Sequence, residues 1–281
     1  MTGFPIRFGI QTPQQHAAWP ELLKLWHEID SLDYDTAWGF DHLLPIFSDP
    51  TGQCLEGWTA LAALAQATRR VRLGLMVTGN TYRHPALLAK MATTVDIISG
   101  GRLIFGLGAG WFELEHREYG IPFPTTGGRL RRLDEALEVI QLLWTQERAN
   151  FSGRYFKLEN ASFNPKPVQK PHPTILIGAG GENIALGIVA RHAQMWNSFG
   201  TPEVFRNKIA RLEEHCQRCG RDPATIEKSV LLEGMIKLDD AHRQIDGYAA
   251  AGVTHIIFSV TPAARTWVHD FAERIIPNYR D

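Results

Sequence analysis

Val71-Arg72-Leu73-Gly74-Leu75-Met76-Val77-Thr78 is a nearly continuous apolar run. Leu87, Met91, Val95 and Ile98 follow at helical spacing, and a second run extends from Leu103 to Gly108. Short apolar runs without alternation suit parallel strands covered on both faces, and the segment between them reads as a one-sided helix. This strand–helix–strand unit recurs in both directions along the chain. Further runs lie at Ile6 to Gln11, Thr36 to Phe40, Thr174 to Gly178, Met195 to Phe199, Ser229 to Ile236 and His255 to Val260. Together they make eight strands separated by helical stretches in 281 residues. That number and length predict an α/β fold, a (β/α)8 TIM barrel, and not a doubly wound open sheet.

The helical stretches carry their own start and stop signals. Thr201-Pro202-Glu203 supplies a capping hydroxyl, a proline for the first helical position and an acid for the positive end of the helix. Phe205, Ile209, Leu212 and Cys216 then line one face, Gly220 stops the helix, and Asp222-Pro223 turns the chain onward. Leu130, Leu133, Leu137, Ile140 and Trp144 mark another one-sided helix. With no break in composition, residues 1–281 are expected to form a single domain with insertions in the loops. Residues 146–173, which hold Pro165, Pro167, Pro171 and Pro173, should make a surface excursion with a hairpin at Ser152-Gly153-Arg154.

Composition excludes several classes. Lys and Arg total 29 against 30 Asp and Glu, a net charge of −1, so no nucleic-acid partner is implied. Hydrophobic residues at 44% and charged residues at 21% fit a globular chain and not a disordered one. Gly247 to Ala264, the longest uncharged stretch, contains Gly252, His255 and Pro262 and is not a membrane span. No secretory signal opens the chain, and three cysteines do not make a disulfide framework, so a reducing cytoplasm is expected. Cys216 and Cys219 read as a helix end, because no second pair completes a zinc site.

In a barrel the chemistry lies just beyond the C-terminal ends of the strands. Those positions carry Asp41-His42 after the second run, Gly79-Asn80-Thr81 after the third, Gly108-Ala109-Gly110-Trp111 after the fourth and Gly178-Ala179-Gly180-Gly181 after the fifth. An acid beside a titratable ring suits proton transfer. The last glycine set, ahead of a helix from Ile184 to His192, reads equally as a phosphate cradle or a flexible loop. The spacing at Gly106 to Gly110 is not the dinucleotide fingerprint, and no nucleophile elbow, H-E-x-x-H or P-loop occurs. Trp38, Trp58, Trp111 and Trp196 are candidates for an aromatic pocket.

The segments Arg7-Phe8-Gly9-Ile10, Ala37-Trp38-Gly39-Phe40-Asp41-His42, Val77 to Pro85, Ser99-Gly100-Gly101-Arg102-Leu103, Gly106 to Trp111, Pro165 to Pro171 and Gly220-Arg221-Asp222-Pro223 come in an order and spacing that resembles the bacterial-luciferase-like superfamily. The likeness is greatest to its flavin- and deazaflavin-dependent oxidoreductases. It implies a TIM barrel holding coenzyme F420, or alternatively FMN, in the barrel mouth. By the same resemblance His42 would exchange a proton with the substrate and Asp41 would order that network. Gly79, Asn80 and Thr81 would support the ring, with a non-prolyl cis peptide at Asn80-Thr81. Ala109 and Gly110 would meet the ring edge, and Gly178 to Gly181 would hold the phosphate. Trp111, Glu56 and Trp196 would line the substrate pocket.

Sugar-phosphate dehydrogenases of this superfamily carry a proton-donating Glu where this chain has Trp111. Glu113 and Glu56 are the remaining carboxylate candidates. The implied activity is hydride transfer between the deazaflavin and a small organic substrate. The alternatives are an FMN-dependent monooxygenase supplied by a separate flavin or F420 reductase, and a flavin-binding protein without catalysis. The resemblance also implies a homodimer, for which the helix from Leu130 to Trp144 is apolar enough to contribute a face.

Overall fold

The computed structural model of the chain describes residues 4–280. Each of the eight sequence runs is a strand of one closed parallel barrel, within three residues at its ends. The strands are β1 (Arg7–Gln11), β2 (Thr36–Gly39), β3 (Arg72–Leu75), its short continuation β4 (Thr78–Gly79), β5 (Leu103–Gly108), β8 (Thr174–Gly178), β9 (Met195–Ser198), β10 (Glu227–Glu233) and β11 (His255–Ser259). They pair in the order β3-β2-β1-β11-β10-β9-β8-β5, and a β3–β5 pairing closes the ring.

Between the strands run α1 (Trp19–Ser31), α2 (Gly57–Ala67), α3 (Pro85–Ile98), α4 (Glu113–Glu118), α5 (Thr126–Thr145), α6 (Ala185–His192), α7 (Pro202–Arg218), α8 (Ala241–Ala250) and α9 (Arg265–Arg274). Capping follows the sequence signals: the Thr201 hydroxyl accepts the Val204 N–H at the start of α7, and Gly220 takes a φ of +69° just beyond its end.

Alternation along each strand divides the apolar residues into two cores. Trp38, Ile104, Leu176, Met195, Leu231 and Ile257 fill the barrel interior, while a larger core lies between the strands and the helices. Gly74 has no substitute in this interior: a Cβ there would lie 2.3 Å from the Ile104 carbonyl oxygen and 2.8 Å from the Trp38 ring.

The excursion forms the predicted hairpin, β6 (Arg148–Ser152) against β7 (Lys157–Ser162). Glu135 of α5 fastens its turn by accepting the N–H groups of Arg154, Tyr155 and Phe156 at 2.9, 2.8 and 3.3 Å. Leu133, Leu137, Ile140 and Trp144, the residues on which the expected dimer face was read, are buried in the chain's own core. Among the described residues no helix is long and apolar enough to cross a membrane.

Candidate active site

A cavity of about 650 Å³ opens at the C-terminal end of the barrel, within the usual range for small-molecule and cofactor sites. It is lined by residues from all eight strand ends, among them Gln11, His42, Thr78, Gly110, Asn197 and Glu233.

The wall after β3 is shaped by a break in the strand. The peptide Met76-Val77 is cis. The Met76 N–H still donates to Gly39, and the buried Gln11 amide donates to the Met76 carbonyl at 2.8 Å. The expected location at Asn80-Thr81 is thereby corrected. Regular pairing has already resumed there, with Asn80 N–H donating to Gly108 O at 3.0 Å, so the bulge falls earlier, where β3 gives way to β4. Val77 packs into this bulge against glycines on two neighbouring strands: a Cβ on Gly108 or Gly178 would lie 2.7 or 3.0 Å from its methyls.

Asp41 and His42 both line the cavity but belong to different networks. Asp41 is fully buried and holds Arg83 through both carboxylate oxygens at 2.6 and 2.9 Å, with the Gly79 N–H at 3.3 Å. Burial pushes its carboxyl above the usual range, and the guanidinium pulls it back. Asp41 therefore does not order His42. That task falls to Glu115 of α4, whose Oε1 lies 2.8 Å from His42 Nδ1 while Oε2 accepts the Leu43 N–H at 2.7 Å. The Tyr82 hydroxyl donates to the same Oε1. Burial works to raise the Glu115 carboxyl, but these donors outweigh it and hold the group below its ordinary value. With Nδ1 engaged, His42 Nε2 makes no hydrogen bond among the described residues and is the ring nitrogen left for a ligand in the cavity.

Neither carboxylate candidate from the sequence takes this role. Glu113 is exposed, and two helical positions separate it from Glu115 by about 200°, which turns them to opposite faces of α4. Glu56 caps α2 by accepting the Trp58 and Thr59 N–H groups and pairs with Arg83 at 2.6 Å, so it does not line the cavity.

Trp196 is also corrected. It alternates with the inward Met195 and Asn197, packs against Phe205 and donates to the Ala179 carbonyl at 2.9 Å, outside the barrel. Trp38 fills the barrel interior and Trp58 lies against Phe105. Of the four tryptophans only Trp111 reaches the cavity.

Gly79, Gly110, Gly178, Ala179 and Gly180 line the cavity. Asn80, Thr81, Ala109 and Gly181 stand behind it: the Thr81 hydroxyl is turned to His116 Nε2 at 2.6 Å, and the Gly181 carbonyl accepts the Leu186 N–H. Lys208 of α7, absent from the sequence reading, closes the far side of the glycine set. Its Nζ donates to Ser198 Oγ at 2.9 Å and Phe199 O at 3.1 Å, and would be 4.0 Å from a Cβ on Gly180. Thr78 contributes a hydroxyl that is fully buried in the cavity wall and has no hydrogen-bond partner among the described residues.

Residues 2–275 match the family model described as luciferase-like monooxygenase. The chain belongs to this luciferase-like family. Similar proteins include an F420-dependent glucose-6-phosphate dehydrogenase of Microbacterium testaceum, 30% identical over 221 residues that cover 77% of this chain and 64% of that enzyme. They also include the pyrimidine monooxygenase RutA of Cronobacter sakazakii, 34% identical over 175 residues, 60% of this chain and 50% of that one. Among solved structures, an F420-dependent secondary alcohol dehydrogenase in complex with an F420-acetone adduct superposes with a TM-score of 0.87 at 19% identity, covering 99% of this chain and 100% of that one. The luciferase-like chain is thus an enzyme of the oxidoreductase and monooxygenase class, on a TIM barrel whose neighbours use F420 or flavin.

Proposed function

We propose that the chain is a coenzyme F420-dependent oxidoreductase acting on a small organic substrate. The observation that carries this reading is the His42 ring, fixed by Glu115 with Nε2 turned to a cavity large enough for a cofactor.

The residues present fit the group. Thr78 offers a buried hydroxyl without a partner to the polar edge of a ring. Gly178, Ala179 and Gly180 leave backbone open beside the Lys208 ammonium, which suits a phosphate. When bound, coenzyme F420 supplies a hydride donor and acceptor at its C5. The protein supplies the rest. His42 gives or takes a proton through Nε2, Glu115 keeps Nδ1 protonated and stabilises positive charge on the ring, and the aromatic rim limits water.

A second reading, an FMN-dependent monooxygenase served by a separate reductase, is favoured by the 34% identity to a pyrimidine monooxygenase. Titration of the purified protein with oxidised F420 and with FMN, followed by cofactor absorbance and fluorescence, separates the two. Tighter binding of the deazaflavin is expected; preference for FMN sinks the first reading in favour of the second.

A further inference from the structure

We infer that the outer half of this cavity selects an uncharged substrate with an aromatic or alkyl body, and rejects anionic ones such as sugar phosphates. The inference rests on the function proposed above and names the substrate class of the same site.

The first observation is an aromatic series that leads from solvent to His42. Phe47 is 82% exposed and Trp111 51%, yet both line the cavity. Their rings stack at 5.5 Å and 20°, and the Trp111 ring meets the His42 imidazole edge-on at 5.5 Å and 74°. Phe199, 53% exposed beyond β9, adds a second apolar wall. Large rings held this far into water at the mouth of a pocket mark a binding surface and not a core.

The second observation is that the fold sets the position of Phe47. The Gln15 side-chain amide clamps the preceding residue from both sides, accepting the Ile46 N–H at 2.8 Å and donating to its carbonyl at 3.2 Å. His16 Nε2 meets Ser48 Oγ at 3.0 Å, and Gln15 pairs with Cys54 across the base of the loop. Phe47 itself has a φ of +56°, a backbone conformation that a bulky residue adopts only where its surroundings impose it.

The third observation is charge. No Lys or Arg lines the cavity among the described residues, whereas Asp41 and Glu233 do. The nearby Arg83 is already committed to Asp41 and Glu56. The Lys208 ammonium lies at the glycine end, which the proposed cofactor phosphate takes. An anionic substrate would therefore leave water with no Lys or Arg on the lining to receive it and two carboxylates beside it. An aromatic or alkyl carbonyl compound would stack on Phe47 and Trp111 and present its oxygen to His42 Nε2.

The test is calorimetric and needs no turnover. The protein, loaded with whichever of F420 or FMN binds, is titrated with acetophenone, with 4-acetylbenzoate and with glucose 6-phosphate. Acetophenone should bind at least tenfold more tightly than either anion, and Phe47→Ala should weaken it at least fivefold while the cofactor dissociation constant stays the same. Tighter binding of either anion, or acetophenone binding indifferent to Phe47→Ala, overturns the inference while leaving the cofactor reading intact. Failure of both cofactors to bind, read separately by absorbance, overturns the proposed function and the inference with it.

Discussion

Glu115 Oε1 and His42 Nδ1 lie 2.8 Å apart across 73 residues of sequence, and this contact decides which imidazole nitrogen faces the cavity. A carboxylate on one ring nitrogen fixes the tautomer and the orientation of the ring. Replacing His42 by Ala is expected to lower turnover by about 10²- to 10⁴-fold, the usual contribution of a positioned acid or base. Cofactor affinity should change little. Steady-state rates and a cofactor titration on the same preparation check this, and retained turnover would remove His42 from the chemistry.

The same contact gives a pH signature. The Glu115 carboxyl is held below its ordinary value of 4.5 by His42, Tyr82 and the Leu43 N–H acting against burial. A depressed carboxylate contributes stability that is fully present above the unfolded value and disappears as pH falls through the lower folded one. The stability gap between the wild type and Glu115→Gln should accordingly narrow as pH falls below about 4.5. Urea unfolding at several pH values measures it. A gap that widens on acidification contradicts the assignment.

The thiols should differ in reactivity. Burial, followed by the charges of Glu115 and Asp41, pushes the Cys54 thiol up to about 12, and burial also raises Cys216. Cys219 is exposed at the end of α7. Because the thiolate is the nucleophile, iodoacetamide at pH 8 should modify Cys219 first and leave Cys54 and Cys216 unmodified in the folded protein. Peptide mass spectrometry reads the order of labelling, and early modification of Cys54 would contradict the burial argument.

A glycine inside β5 and one in the loop after β8 should respond differently to a methyl group. A Cβ on Gly106 would lie 2.0 Å from the Leu75 carbonyl oxygen, a backbone atom that cannot move aside, whereas one on Gly180 would meet only Lys208 Nζ at 4.0 Å. Gly106→Ala should cost about 1–3 kcal/mol or more, and Gly180→Ala should stay within about 0.5 kcal/mol. Equal unfolding midpoints for the two variants would refute this.

The barrel was legible because several of the eight strands are nearly continuous apolar runs and all eight alternate with stretches of helical period, a pattern that local composition carries. The site was legible only where it sits on those strand ends, as with His42, Gly110 and Gly178. Glu115 was missed in favour of Glu113 because the choice depends on which face of α4 turns inward, and a six-residue helix has too short a period to show it. The pairing of Asp41 with Arg83 and not His42 is a tertiary fact, since the two are 42 positions apart. Trp196 was misplaced by one step of alternation, although its inward neighbours Met195 and Asn197 held the parity needed to correct it.

Lys208 offers the most direct separation of phosphate binding from ring binding. Burial lowers its ammonium below the usual range, and the Ser198 hydroxyl and Phe199 carbonyl aim it at the open side of Gly180. A charge-assisted contact to phosphate contributes about 1.5–3 kcal/mol when dry. Partial exposure reduces that to about a tenfold effect on affinity. Lys208→Met should therefore weaken binding of the phosphate-bearing cofactor about tenfold and leave a phosphate-free flavin such as riboflavin unaffected, so that the ratio of the two dissociation constants collapses toward one. Equal losses for both ligands would mean that Lys208 only supports the loop after β9, and the phosphate would have to be sought elsewhere on the rim.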